Sequence, residues 1–207
     1  MPAAPLFPMF LKLAGRLCLV VGAGRIGEPK IRSLIECGAK VVVVSPVAEE
    51  SIADAARKGE IVWWRKSFES TDLDGVFLVV AATSSAEVNH AIYQQAQQRG
   101  ILCNVVDDPP HCDFFYPAVV RRGNFQIAIS TGGLSPALAQ RIRKQLEVEF
   151  PPAYGDWLEQ LGRKRTALFK QVGDPELRRR LIHESVASEA FAQFERDQFP
   201  AARKDFL

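Results

Sequence analysis

An α/β fold built on a doubly wound parallel sheet is what this sequence predicts, on three observations. Short apolar runs alternate with helix-spaced segments through the first half of the chain. Each run is apolar throughout rather than at every second residue, as expected of strands covered by helices on both faces. The first run passes directly into a glycine-rich turn, Gly22-Ala23-Gly24-Arg25-Ile26-Gly27, from which a helical pattern departs.

Leu17 to Val21 (LCLVV) is the first predicted strand. From Ile26 the spacing turns helical, with Ile31, Leu34 and Ile35 on one face, and Gly38 ends that helix. Lys40 to Val44 predicts the second strand, Ala48 to Lys58 a helix, Ile61 to Trp64 a third strand and Gly75 to Ala82 a fourth. Ser85 to Arg99 is helical, and Ile101 to Val106 is the fifth strand. Strands and helices alternating in this way give a Rossmann-type sheet. After Asp113 the rhythm changes. Phe115 to Val120 and Phe125 to Ile129 predict a small β-hairpin across Arg121-Arg122-Gly123-Asn124. A helix runs from Pro136 to about Phe150, with Ser135 as N-cap and proline in its first position, and Pro151-Pro152 ends it. The remainder predicts helices over roughly 154–171 and 174–196, separated at Gly173-Asp174-Pro175. The chain thus divides into 1–113, 114–150 and 151–207.

Composition narrows the function classes. A chain of 207 residues, 47% hydrophobic and 24% charged, is an ordinary globular protein. The net charge of +2 gives no support for a nucleic-acid partner. No apolar run approaches a membrane span, and the proline-broken segment from Met1 to Arg16 lacks the basic start of a signal peptide. Cys18, Cys37, Cys103 and Cys112 form no CxxC pair, so neither a zinc ribbon nor a thioredoxin-like centre is expected. The reducing cytoplasm is the expected location.

The glycine turn lies where dinucleotide chemistry needs it, after a strand and at a helix start. Gly22 permits the tight turn, Gly24 lets the backbone approach a pyrophosphate, and Gly27 lets the helix pack closely. The free N–H groups and positive dipole end of the helix then face the phosphates. The alternative is a domain that kept this shape and lost its ligand. The end of the second strand often carries an acid for the adenosine ribose, and here it reads Ser45-Pro46-Val47. Serine can hydrogen-bond a ribose, and no arginine follows to hold a 2′-phosphate, which favours NAD over NADP. Pro29 falls early in the helix; were the helix to start at Arg25, its missing N–H would disturb the first bond.

Two further segments carry candidate chemistry. Asn104 to Asp113 (NVVDDPPHCD) follows the fifth strand, at the carboxyl edge of the sheet. Asp107 and Asp108 there could act as general base or metal ligand, or simply as solvated or capping groups. His111 and Cys112 add no recognised metal-ligand spacing. Ser130-Thr131-Gly132-Gly133, ahead of the Ser135 cap, exposes N–H groups and hydroxyls that suit an anion, or serves only as a helix cap.

Together these segments resemble the precorrin-2 dehydrogenase family, also found as the N-terminal part of bifunctional sirohaem synthase. The resemblance runs over essentially the whole chain. It includes Phe10-Leu11-Lys12-Leu13, GAGRIGEPK at 22–30, Ala81-Ala82-Thr83, Val88-Asn89, NVVD at 104–107 and STGGLSPALA at 130–139. It implies NAD-dependent oxidation of precorrin-2 to sirohydrochlorin, with ferrous-iron insertion added in some members. The family's key aspartate falls on Asp107, which would assist proton removal; Asp108 has no such support. The family's NAD contacts fall on the glycine turn with Arg25 and Ile26, on Ser45-Pro46-Val47, and near Thr83. Residues 114–150 would build a homodimer, with the site between subunits.

The anionic substrate directs attention to Thr131, Gly132, Gly133, Ser135 and Arg141, and to Arg121, Arg122, Arg143 and Lys144 as an electrostatic seat, although such surface cations are usually just solvated. Two positions depart from the family: Thr131 stands where bifunctional members often carry serine, and Pro29 where a polar or charged residue is common. No counterpart of the fused synthases' methyltransferase domain lies within the 207 residues, so uroporphyrinogen methylation is expected on another protein. Two other readings remain: a bifunctional dehydrogenase and ferrochelatase using Asp107 for both reactions, and a non-catalytic NAD-binding redox sensor.

Overall fold

A computed structural model describes residues 5–187 and 189–198. The expected regions 1–113 and 151–207 therefore extend, at residues 1–4, 188 and 199–207, outside the described residues. The chain forms two compact units, one up to Tyr116 and one from Pro117.

In the first unit, β1 (Leu17–Ala23), α1 (Glu28–Glu36), β2 (Lys40–Ala48), α2 (Glu50–Arg57), β3 (Val62–Trp64), β4 (Leu78–Ala81), α3 (Ala86–Arg99) and β5 (Leu102–Val105) follow in order. The five strands make one parallel sheet in the order β3-β2-β1-β4-β5. Successive residues of β1 feed opposite cores. Cys18 and Val20 pack with Ile31, Leu34 and Ile52 from α1 and α2, whereas Leu19 and Val21 pack with Ile92 and Ala96 from α3. Because both faces are buried, LCLVV is apolar at every position.

The boundaries differ from expectation at three places that bear on the site. β1 continues to Ala23 and β2 to Ala48, with Ala23 pairing Ala48 across an irregularity in register. α1 begins at Glu28, so Pro29 occupies its first turn, and Ile31 N donates to Gly27 O at 3.0 Å. The N–H that Pro29 lacks would have had no intrahelical acceptor, so it disturbs no bond. β4 is shorter than Gly75 to Ala82, since Gly75 and Val76 belong to the turn that precedes it.

In the second unit β6 (Ala118–Arg122) and β7 (Phe125–Ile129) form an antiparallel hairpin. Pro117 has no N–H for a ladder, so the first strand starts after it and not at Phe115. Arg121 and Arg122 sit in the ladder, and Gly123-Asn124 alone makes the turn, with Gly123 at φ +57°. α4 (Pro136–Glu149), α5 (Ala153–Gln171), α6 (Pro175–Glu184) and α7 (Ala190–Gln198) complete the unit. The single helix expected over 174–196 is two helices. Ser185 Oγ donates to Ile182 O at 2.6 Å at the end of α6, a competing side-chain bond that suits a helix end. The break lets α7 set Phe191 against Tyr154 of α5, ring centroids 4.0 Å apart, and buries Phe194.

Candidate functional site

β2 and β3 lie on one side of β1, and β4 and β5 on the other. A crevice therefore opens at the carboxyl ends of β1 and β4, where the strand order reverses. The structure has a cleft there of about 810 Å³. Its walls are the turn at 22–26, the end of β2 at 44–49, Lys66 to Phe68, and 82–85 with Val88.

The three glycines of the turn meet different surroundings. Gly22 has φ +102°, and a Cβ there would run into the Ala82 carbonyl, with its carbon 2.7 Å and Thr83 N 3.0 Å away. A Cβ on Gly27 would overlap the carbonyl oxygen of Gly22 near the end of β1, so the start of α1 packs closely on the strand that leads into it. Gly24 has nothing within 4 Å of a built Cβ and faces open space, room that a phosphate could fill. No side chain caps α1. Its first-turn acid, Glu28, is held by Ser51 Oγ at 2.6 Å and Arg32 Nη2 at 2.9 Å, bonds that keep the carboxyl below the ordinary carboxylate range. Glu28 N donates to Gly24 O and Lys30 N to Gly27 O, both at 3.0 Å, and Pro29 has no N–H, so the donors left for an anion are those of the turn at 25–27. With an open Gly24 and a cleft of this volume they fit a dinucleotide.

The second strand's end is organised around Ser45, which is 8% exposed. Its hydroxyl donates to Val47 O at 2.6 Å, and its own carbonyl accepts from Trp63 Nε1 at 2.9 Å. Pro46 and Val47 are exposed. At the cleft's other side, Thr83 Oγ1 donates to Asn89 Oδ1 at 2.7 Å while Asn89 Nδ2 donates to Thr83 O at 3.1 Å. Asn89 thus fixes the chain leaving β4, and Ser85 caps α3 through Val88 N. Sequence reasoning gave Asn89 no role; its signal was a position on the first turn after a Ser cap.

The structure gathers Gly22, Gly24, Arg25, Ile26, Ser45, Pro46, Val47 and Thr83 around this cleft. Gly27 is buried behind them, and Asp107 is not among the lining residues. Asp107 follows β5 with φ +62°, the one non-glycine residue in the left-handed region among the described residues. Such strain costs on the order of 1 kcal/mol and concentrates at functional sites. Its carboxylate is exposed, whereas its neighbours are engaged. Asp108 Oδ2 bonds His111 Nδ1 at 2.7 Å, and Asp113 Oδ2 accepts from Cys103 N at 2.9 Å and Gln97 Nε2 at 2.8 Å. Cys112 Sγ donates to Val105 O at 3.1 Å. Among the described residues no three His, Cys, Asp or Glu side chains group so as to hold a metal ion.

Lys30, which carried no role in the sequence reading, lies with its Nζ 3.9 Å from the centroid of the Tyr116 ring. Burial holds its ammonium below the ordinary lysine range, and the charge of Asp107 opposes that shift. The Tyr116 hydroxyl is buried without a hydrogen-bond partner among the described residues.

The remaining candidates belong to the second unit. Thr131 Oγ1 accepts from Ser135 N at 3.1 Å, and Ser135 Oγ accepts from Leu138 N at 3.3 Å, so both hydroxyls cap the start of α4. Gly132 and Gly133 adopt φ +61° and +82°. Arg141 and Lys144 are exposed on α4. Arg122 donates to Phe150 O at 2.9 Å and Glu147 O at 3.1 Å, closing the end of α4, and Arg143 pairs with Glu147.

Comparison with known proteins places the chain. Residues 9–118 match a protein-family model described as NAD(P)-binding, and residues 122–149 match one described as the central part of a sirohaem biosynthesis protein. The chain belongs to this NAD(P)-binding family. It is 36% identical over 189 residues to a sirohaem synthase of Nitrosococcus oceani, covering 89% of the chain and 40% of that protein. It is 44% identical over 148 residues to a sirohaem synthase of Methylobacillus flagellatus, covering 72% of the chain and 32% of that protein. The chain therefore spans well under half the length of these relatives. Among solved structures it is similar to SirC, a precorrin-2 dehydrogenase, with TM-score 0.79 and 27% identity over 94% of this chain and 97% of that one. The Rossmann-type sheet, the hairpin and the C-terminal helices agree with that likeness. No helix among the described residues is long and apolar enough to cross a membrane.

Proposed function

We propose that this chain oxidises precorrin-2 to sirohydrochlorin with NAD. The observation that carries this reading is the likeness to SirC along nearly the full length of both chains. The cleft supplies independent support, because its glycine turn, with N–H groups at 25–27 that no carbonyl among the described residues takes up, and its open Gly24 suit a pyrophosphate. When bound, NAD accepts hydride from the reduced tetrapyrrole. The oxidation removes two electrons and two protons; the hydride carries both electrons and one proton, so one proton must also leave.

The chain's own residues divide the remaining tasks. Backbone N–H groups at Arg25, Ile26 and Gly27 receive the phosphates, with Gly22 shaping the turn. Ser45-Pro46-Val47 and Thr83 line the nucleoside sides, Thr83 held in place by Asn89. Asp107, whose exposed carboxylate has no hydrogen-bonded neighbour of the kind that occupies Asp108 and Asp113, takes the departing proton. Thr131, Gly132, Gly133, Ser135 and Arg141 serve the substrate carboxylates, the backbone N–H groups of the loop having more freedom than its capping hydroxyls. We infer a homodimer formed through the second unit, where Leu134 is 93% and Val148 83% exposed, and expect a dimer mass by light scattering. The four free thiols fit the reducing cytoplasm.

The test is NADH formation from precorrin-2 by the wild type and by Asp107→Ala. We expect robust turnover by the wild type and a fall of about a hundredfold or more in kcat for the variant, the usual range for a positioned general base. A wild type that forms no NADH overturns the reading; undiminished turnover in Asp107→Ala removes the role of that residue alone.

A further inference from the structure

The acid expected at the end of the second strand is absent from its usual place, and Ser45 is poorly suited to replace it. The Ser45 hydroxyl is 2.6 Å from Val47 O, to which it donates, and the residue is almost buried. β2, however, runs on past Val44 to Ala48. Ala48 pairs with Ala23 in the glycine turn's own strand, and Glu49 N donates to Ala23 O at 2.9 Å. That extension carries a carboxylate to the rim of the cleft. Glu49 lines it with a side chain 43% exposed, and its Oε1 is 4.0 Å from Nε of Arg25, which is 93% exposed.

We propose that Glu49 is the group that selects NAD over NADP, by accepting hydrogen bonds from the adenosine ribose hydroxyls and by repelling a 2′-phosphate. This rests on the reading of the cleft as a dinucleotide site. The geometry also gives Arg25 a second state. With Glu49 present, the guanidinium faces a carboxylate; without it, the same guanidinium is an exposed cation at the rim, suited to a phosphate. A carboxylate accepts two hydroxyls at once, and against a phosphate the same charge is a like-charge clash, so one side chain both attracts and excludes. Removing it acts on both cofactors in opposite directions.

The test uses the full chain and titrates NADH and NADPH separately, following quenching of tryptophan fluorescence. The wild type should bind NADH at least about tenfold more tightly than NADPH, as expected for a like-charge clash. Glu49→Gln, isosteric and at an exposed position, should weaken NADH and strengthen NADPH, narrowing that ratio by about tenfold or more. Glu49→Asp should keep part of the preference. Adding Arg25→Ala to Glu49→Gln should abolish the gain in NADPH affinity while leaving the loss in NADH affinity. A ratio unchanged within about twofold in Glu49→Gln, when the wild type binds NADH normally, overturns the proposal and leaves the cleft reading standing. A wild type that binds neither nucleotide overturns the cleft reading itself, and this inference with it.

Discussion

Gly22 and Gly24 are the same residue type two positions apart, and the structure asks different things of them. Gly22 is required by the protein: its φ of +102° and the Ala82 carbonyl in the place a Cβ would take leave no room for a methyl group. Gly24 is required, on our reading, by the ligand, since a Cβ there meets open space. Gly22→Ala should therefore lower stability by roughly 2–4 kcal/mol, read from a denaturant midpoint, through combined backbone strain and overlap. Gly24→Ala should leave that midpoint within about 1 kcal/mol and weaken NADH binding by about tenfold or more. The reverse pattern would contradict this division. Both residues are equally legible as glycines in the sequence; only the neighbouring β4 terminus, sixty residues on, separates their roles. Asp107 illustrates the same limit. Its adjacency to Asp108 is visible in the chain, but the left-handed φ of Asp107 and the His111 contact of Asp108 depend on the turn after β5.

At the scale of elements, the strand and helix alternation was legible because apolar content changes period with structure. The ends were less so. Strand length depends on the neighbour that supplies hydrogen bonds, and Ala23 supplies one beyond the apolar stretch, so β2 includes Ser45, Pro46 and Val47. Pro29 belongs here too. Within the first turn of α1 its absent N–H has no carbonyl to meet, and Pro29→Ala should change stability by at most about 1 kcal/mol, mostly through the unfolded chain. A loss or gain of about 3 kcal/mol in thermal or denaturant unfolding, the magnitude of an interior proline, would place it elsewhere in the helix. Arg122 shows why a cationic residue cannot be assigned from sequence. It was a candidate for the substrate's carboxylates, and it closes α4 by donating to two terminal carbonyls.

At the scale of the whole molecule, the first unit's core holds thiols that must stay protonated. Cys18 and Cys103 are fully buried, and burial pushes them up from the ordinary 9.0 to about 11 and about 12. The folded state thus keeps protons that the unfolded chain releases above pH 9.0. This contribution to stability is complete below that pH and is lost as pH rises toward the folded values. Each thiol should remove about 1.4 kcal/mol per pH unit in that window. Lys30, whose ammonium titrates below its ordinary 10.5, works in the opposite direction, because there the unfolded chain binds the additional proton. Cys112 and Tyr116, also held up chiefly by burial, act in the same direction as the two thiols, so the balance against Lys30 is a net alkaline loss. We expect the melting temperature to fall between about pH 9 and 10.5, and Cys18→Ala with Cys103→Ala to flatten the fall. A wild-type melting temperature flat across that range would contradict the assignment.

The sequence by itself determined the architecture and the place of the dinucleotide turn. Both follow from local rules, since apolar runs must be covered and a strand–glycine–helix junction exposes N–H groups wherever it folds. It also carried, through motifs spread over the chain, the resemblance to precorrin-2 dehydrogenases with which the family match agrees. Only the tertiary structure decided which polar side chains are already engaged. Ser45 bonds its own loop, Thr131 and Ser135 cap α4, Arg122 closes that helix, and Asp107 and Glu49 keep exposed carboxylates. Those outcomes rest on partners from elsewhere in the fold, which no local pattern records.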